Sequence, residues 1–146
     1  MKESIRILIM GLPAAGKTTL ADELNELILS LGLHTLRLNE NRLKAEYPDL
    51  TEEQIRWMIA GATVDYVVAD FEARTIHDRR FFNPHYLVWV NTAPEDEYQF
   101  LNYGFDPPFK YNMCVTTKDA PKWAREIFLH ILFLKKQKLI KENYER

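Results

Sequence analysis

The sequence predicts a three-layer α/β domain, a mainly parallel sheet of about five strands with helices on both faces, and three observations carry that expectation. Short, nearly uninterrupted apolar runs such as 5–10 and 86–90 read as strands buried on both sides. These runs alternate with segments of helical period, as parallel strands joined by crossover helices require. A glycine-bearing turn separates the first run from the first helical segment, which is where such sheets receive ligands. With 146 residues and 47% hydrophobic content, one domain spanning 1–146 is expected.

Residues 5–10 form the first strand, and over 17–31 Leu20, Leu24, Leu27, Ile28 and Leu31 recur at helical spacing before Gly32 stops the helix. Residues 34–38 predict a second strand and 42–46 a helical turn that Pro48 ends. Thr51, followed by Glu52 and Glu53, suits a helix N-terminus, where a hydroxyl caps free amides and acids favour the dipole; this helix runs to about Gly61. A third strand over 66–69 ends at Asp70, 86–90 and 113–116 give two more, and Pro121 opens the last helix. The prolines fall between these segments, and no internal repeat is present.

Composition excludes several classes. Net charge is -2 with 19 basic and 21 acidic residues, so the basic stripe of a dedicated nucleic-acid binder is missing; nucleic acid is expected only as a modified-base acceptor. The single cysteine, Cys114, rules out an internal disulfide and a cysteine metal site, which fits a reducing cytoplasm; it lies in a predicted strand as packing. Residues 1–4 lack the zones of a signal peptide. The apolar stretch 127–140 is broken by His130, Lys135, Lys136 and Lys138, short of the roughly 20 residues of a membrane span, so a cytoplasmic protein without membrane contact is expected. His34, His77, His85 and His130 are scattered without zinc spacing. Lys135, Lys136, Lys138 and Lys141 read as a solvated face, and the last helix packs either on its own sheet or on a second copy, leaving a homodimer open.

The chemistry concentrates in Gly11-Leu12-Pro13-Ala14-Ala15-Gly16-Lys17-Thr18, a match to G-x-x-x-x-G-K-[ST] between a predicted strand and a predicted helix. Glycines let the backbone curl so that amides, among them those at Ala14, Ala15 and Gly16, point inward, and the helix N-terminus adds partial positive charge. Phosphate oxygens are the complementary ligand. Lys17 is expected to reach the β and γ phosphates of ATP and Thr18 to hold Mg²⁺, with Thr19 starting the packed helix. A P-loop nucleotide-binding fold follows, and the motif alone serves a kinase, a hydrolase or a switch alike.

Beyond that motif the chain resembles the adenylylsulfate kinase family, especially its compact bacteriophage versions. The likeness rests on Gly11 to Ala21, on Tyr66-Val67-Val68-Ala69-Asp70-Phe71 with Asp78-Arg79, on Val88-Trp89-Val90-Asn91-Thr92, and on Phe105-Asp106-Pro107-Pro108 with Val115-Thr116. The family carries Asp-Gly-Asp-Asn-x-Arg after its second strand; here Asn39-Glu40-Asn41-Arg42-Leu43-Lys44 stands in its place. Asparagine accepts no proton at neutral pH and binds Mg²⁺ less well than a carboxylate, so the base role moves to Asp70, placed first, or to Glu40. Asp70 also reads as a Walker-B-type acid holding water on Mg²⁺. The family's substrate arginine falls on Lys44, which keeps charge without the planar fork. By the resemblance, Asn39, Asn41, Lys44 and Arg74 bind substrate and Arg79 stabilises the transferring phosphoryl. Phe71 reads as core or as a face for a purine. The family's basic lid is reduced, since between 93 and 111 only Lys110 is basic.

The resemblance implies ATP-dependent phosphorylation of adenylylsulfate, a small nucleotide, on its 3′ hydroxyl. A related kinase for a nucleoside, another nucleotide or a modified base is the second expectation, and a catalytically weak ATP-binding protein the third. The motif at 11–18 is common to all three.

Overall fold

The computed structural model describes residues 4–92 and 104–140. Its sheet has five strands, β1 (Ile5–Met10), β2 (Thr35–Asn39), β3 (Tyr66–Phe71), β4 (Tyr86–Val90) and β5 (Met113–Val115), in the order β2-β3-β1-β4-β5. Every neighbouring pair is parallel. β1 lies at the centre, which explains why its run is apolar at both parities. Ile5, Ile7 and Ile9 face α1 (Lys17–Ser30) and α5 (Ala120–Lys136), meeting Leu20, Leu24, Ile127 and Ile131. Leu8 and Met10 face the opposite cluster, which Ile59 of α3 (Glu52–Ala60) and Phe82 of α4 (Ile76–Phe82) complete.

Three boundaries differ from the sequence reading. α2 (Glu40–Glu46) starts earlier because the Asn39 side chain caps it, accepting from the Arg42 amide at 2.8 Å. β3 continues through Asp70 to Phe71, so that carboxylate sits inside a strand and is 2% exposed. α4 follows at once, opened by a capping box of Thr75 and Asp78 and closed at Asn83 in the left-handed region, φ 51°. Elsewhere β4 is tied to α5 by a 2.6 Å hydrogen bond between the Tyr86 hydroxyl and His130 Nδ1. Cys114 is a half-buried free thiol on β5. Among the described residues no helix is long and apolar enough to cross a membrane.

Candidate functional site

The turn between β1 and α1 is shaped by what glycine omits. A Cβ on Gly11 would stand 2.5 Å from the Val90 carbonyl oxygen, so only glycine lets the turn approach β4. Gly16, at φ 100°, is the N-cap of α1 and supplies no side-chain acceptor, which leaves the first-turn amides to an incoming anion. Thr92 Oγ1 donates to the Ala15 carbonyl at 2.8 Å and Lys118 Nζ to that of Ala14 at 3.2 Å, pinning the loop from outside. Lys17 Nζ donates to the Leu12 carbonyl at 2.7 Å. Burial holds its ammonium below the ordinary lysine value, against the opposing pull of Glu72, Asp70 and Glu40.

Behind this loop α1 covers β2 and β3 with two polar side chains one turn apart, Thr18 and Asp22. Register sets Asn39 beside Asp70. Thr18 Oγ1 donates to Asp70 Oδ2 at 2.7 Å, and Asn39 Nδ2 reaches the same oxygen at 2.6 Å and Thr18 Oγ1 at 3.1 Å. Arg37 Nη1 lies 2.6 Å from Asp70 Oδ1, an ion-pair contact off the hydrogen-bond axis, so Oδ1 keeps no hydrogen-bond donor. The same guanidinium pairs with Asp22 at 3.1 Å.

Two cavities meet here. One, of about 300 Å³, is lined by Lys17, Thr18, Asn41 and Asp70. The other, of about 350 Å³, is lined by Leu43, Lys44, Tyr47, Phe71, Arg74 and Phe81. Glu40 and Glu72 border both. They are joined to one another, the Glu72 amide donating to Glu40 Oε1 at 3.1 Å. A third cavity, of about 250 Å³, lies past Gly16 against Val115, Thr117, Lys118 and Trp123.

The structure therefore brings Ala14, Gly16, Lys17, Thr18, Thr19, Asn39, Glu40, Asn41 and Asp70 to one cavity and Lys44, Phe71 and Arg74 to its neighbour. Three of the expected site residues are engaged by other groups of the protein. Asn39 is 6% exposed, its Oδ1 accepting from the Arg42 amide and its Nδ2 donating to Thr18 and Asp70, so its amide organises the site while it borders the cavity. Asp70, placed first as base, has Oδ2 taking two hydrogen bonds and Oδ1 against Arg37, whereas Glu40 borders both cavities. Arg79 is 8% exposed and gives its guanidinium to the carbonyls of Ala73, Arg74 and Asp106, with the Phe105 ring 5.4 Å away; it is a strut. Sequence reasoning missed Glu72, Arg37 and Lys118. A charge inside the apolar strand 35–39 and an acid two positions beyond Asp70 were the available signals. The lid segment over 93–103 and Lys141 lie outside the described residues.

A glycine turn leading from the central strand of a parallel sheet into a helix, with Lys17, Thr18 and Asp70 gathered at its mouth, defines the class: a P-loop nucleotide-binding fold. No protein-family model matches the sequence, and no match was found among the curated proteins either. Solved structures do match. The Mycobacterium tuberculosis APS kinase CysC in complex with AMPPNP and APS superposes with a TM-score of 0.71 at 16% identity, covering 90% of this chain and 99% of that one. APE1195 gives 0.65 at 18% identity, covering 90% and 95%. An LAO/AO transport system kinase gives 0.52 at 12% identity over 94% of this chain and 61% of the other. The chain thus has the fold of the adenylylsulfate kinases, a three-layer P-loop kinase fold.

Proposed function

We propose that this chain is an ATP-dependent kinase that transfers the γ-phosphoryl to a hydroxyl of a small acceptor. The observation that carries the proposal is the shared border of the two cavities: Glu40 and Glu72 line both, so a hydroxyl seated in the apolar cavity meets a phosphoryl seated against Lys17 at a carboxylate. The Gly16-led amides and Lys17 hold the phosphates, and the adenine takes the cavity beside Thr117 and Trp123. Glu40 accepts the hydroxyl proton as the acceptor oxygen bonds to the γ-phosphorus and the bridging oxygen leaves with ADP.

Mg²⁺ suits the donors present. Thr18 Oγ1 and Asp70 Oδ2 stand 2.7 Å apart on the lining of the 300 Å³ cavity, a hard-oxygen pair of the kind that would share this ion with phosphates and water. When bound, the ion neutralises charge on the phosphates. Arg37 and Asn39 keep the Asp70 carboxylate oriented toward Thr18.

Adenylylsulfate is the first acceptor to test, because it is the one the fold likeness brings with it. The test mixes protein, Mg²⁺, γ-labelled ATP and acceptors, with Lys17→Ala and Glu40→Gln in parallel. Transfer that falls by about a hundredfold or more in each variant supports the roles given. ATP binding without transfer to any acceptor turns the reading toward a nucleotide-binding protein without kinase activity.

A further inference from the structure

Resting on the kinase reading, we infer that the acceptor is an uncharged, nucleoside-like molecule with a planar ring and a free hydroxyl, and not one bearing a phosphate or phosphosulfate. The argument lies in the charges of the 350 Å³ cavity. Four carboxylates border it, Glu40, Glu52, Glu72 and Asp78, against two cations, Lys44 and Arg74.

Both cations already have carboxylate partners. Arg74 Nε donates to Glu72 Oε2 at 2.6 Å, and Lys44 Nζ stands 3.4 Å from Glu40 Oε2, one helical turn away. Arg74 Nε is already turned to Glu72, so an anionic acceptor that reaches this guanidinium stands beside that carboxylate and meets a like charge there. Lys44 is an exposed point charge without the fork that grips an oxyanion in two places. The rest of the lining is apolar or aromatic, with Tyr47, Ile55, Phe71 and Phe81 among it, a surface suited to a flat ring. Such a lining also disfavours a polyhydroxylated sugar without a ring to stack. The volume stands near the lower end for small-molecule sites. The exclusion is built from acids, and an uncharged ring with a sugar hydroxyl meets none of it.

The experiment compares kcat/KM for matched acceptors, adenosine and other nucleosides against adenosine 5′-monophosphate and adenylylsulfate, under identical Mg²⁺ and ATP. The expected result is a preference of about a hundredfold for the best nucleoside over its anionic counterpart. Equal or better use of adenylylsulfate or of a nucleotide overturns the inference and leaves the kinase reading standing. If no acceptor is phosphorylated, the kinase reading fails, and the cavity is then read by binding alone, as thermal shifts of AMPPNP-loaded protein. Stabilisation by nucleosides and not by adenylylsulfate sustains the preference; the reverse order, or no shift from either, overturns it. The variant Glu72→Gln removes that carboxylate charge from beside Arg74 and should move the adenylylsulfate-to-adenosine ratio of kcat/KM about tenfold toward the anion. A ratio cancels any common loss of turnover, so an unchanged value removes the electrostatic basis.

Discussion

At Asn39 the side-chain amide offers a donor and an acceptor at once: Nδ2 reaches Asp70 Oδ2 at 2.6 Å while Oδ1 takes the Arg42 amide at 2.8 Å. An aspartate there still caps α2, but it sets a second carboxylate against Asp70 inside the fold, and two such groups cannot both stay ionised cheaply. Arg37, the cation facing Asp70, offsets part of the repulsion. Asn39→Asp is therefore expected to cost about 2 kcal/mol at neutral pH. The sign with pH follows from linkage: one carboxyl of the pair has a folded pKa raised above its unfolded value. The variant is closest to wild type in acid and falls behind as pH rises through that raised value. Urea denaturation of both proteins at roughly pH 4 and pH 8 checks this, and a gap that narrows with rising pH contradicts the pairing.

Among the elements, α4 owes its place to Arg79, whose guanidinium bridges the carbonyls of Ala73 and Arg74 after β3 to that of Asp106 in a separate stretch of chain. Its removal leaves those carbonyls without their charged donor, so Arg79→Ala is expected to lose about 3 kcal/mol, and Arg79→Lys to recover little because an ammonium cannot serve the spread of acceptors a planar fork does. A stable variant with weakened ATP affinity would instead return Arg79 to the phosphate site. This helix also shows where sequence reasoning stopped. α1 and α5 announce themselves by apolar residues at helical spacing over 14 and 17 residues, whereas α4 has seven, five of them charged or aromatic, with only the Thr75 and Asp78 capping box as a signal. Asp70 reads as the end of a strand because a lone acid in an apolar run suggests a turn. Only the partners that arrive from α1 and β2, Thr18, Asn39 and Arg37, make its burial tolerable.

Across the whole molecule, the site sits where the chain passes from β1 to one side of the sheet and later, after β3, to the other. Its phosphate half was legible because one contiguous segment, 11–18, builds most of it. Of the neighbouring cavity only Lys44, Phe71 and Arg74 were expected from the sequence besides the shared Glu40, because α2, α3, β3 and α4 each contribute one wall and no local pattern records their meeting. On the proposed function, the same placement makes ATP a stabiliser of the entire fold. A ligand held only by the folded chain at a hundred times its dissociation constant adds about 2.7 kcal/mol, which at this chain length corresponds to roughly 10 °C in melting temperature. Lys17 gives that increment a pH dependence. Burial lowers its ammonium from 10.5, so between the lowered value and 10.5 the unfolded chain holds the proton more tightly and the free protein gains stability as pH rises. Bound phosphates pull the pKa back up, which makes the bound state prefer the proton. The increment is then full below the lowered value and shrinks as pH climbs through it. Melting curves with and without AMPPNP and Mg²⁺ at roughly pH 7 and pH 10, beside Lys17→Ala, read this directly. The wild-type increment should fall at the higher pH, and the variant should show little increment at either. An undiminished wild-type increment at the higher pH would mean that the backbone amides of the 11–18 turn, and not the Lys17 charge, hold the phosphates.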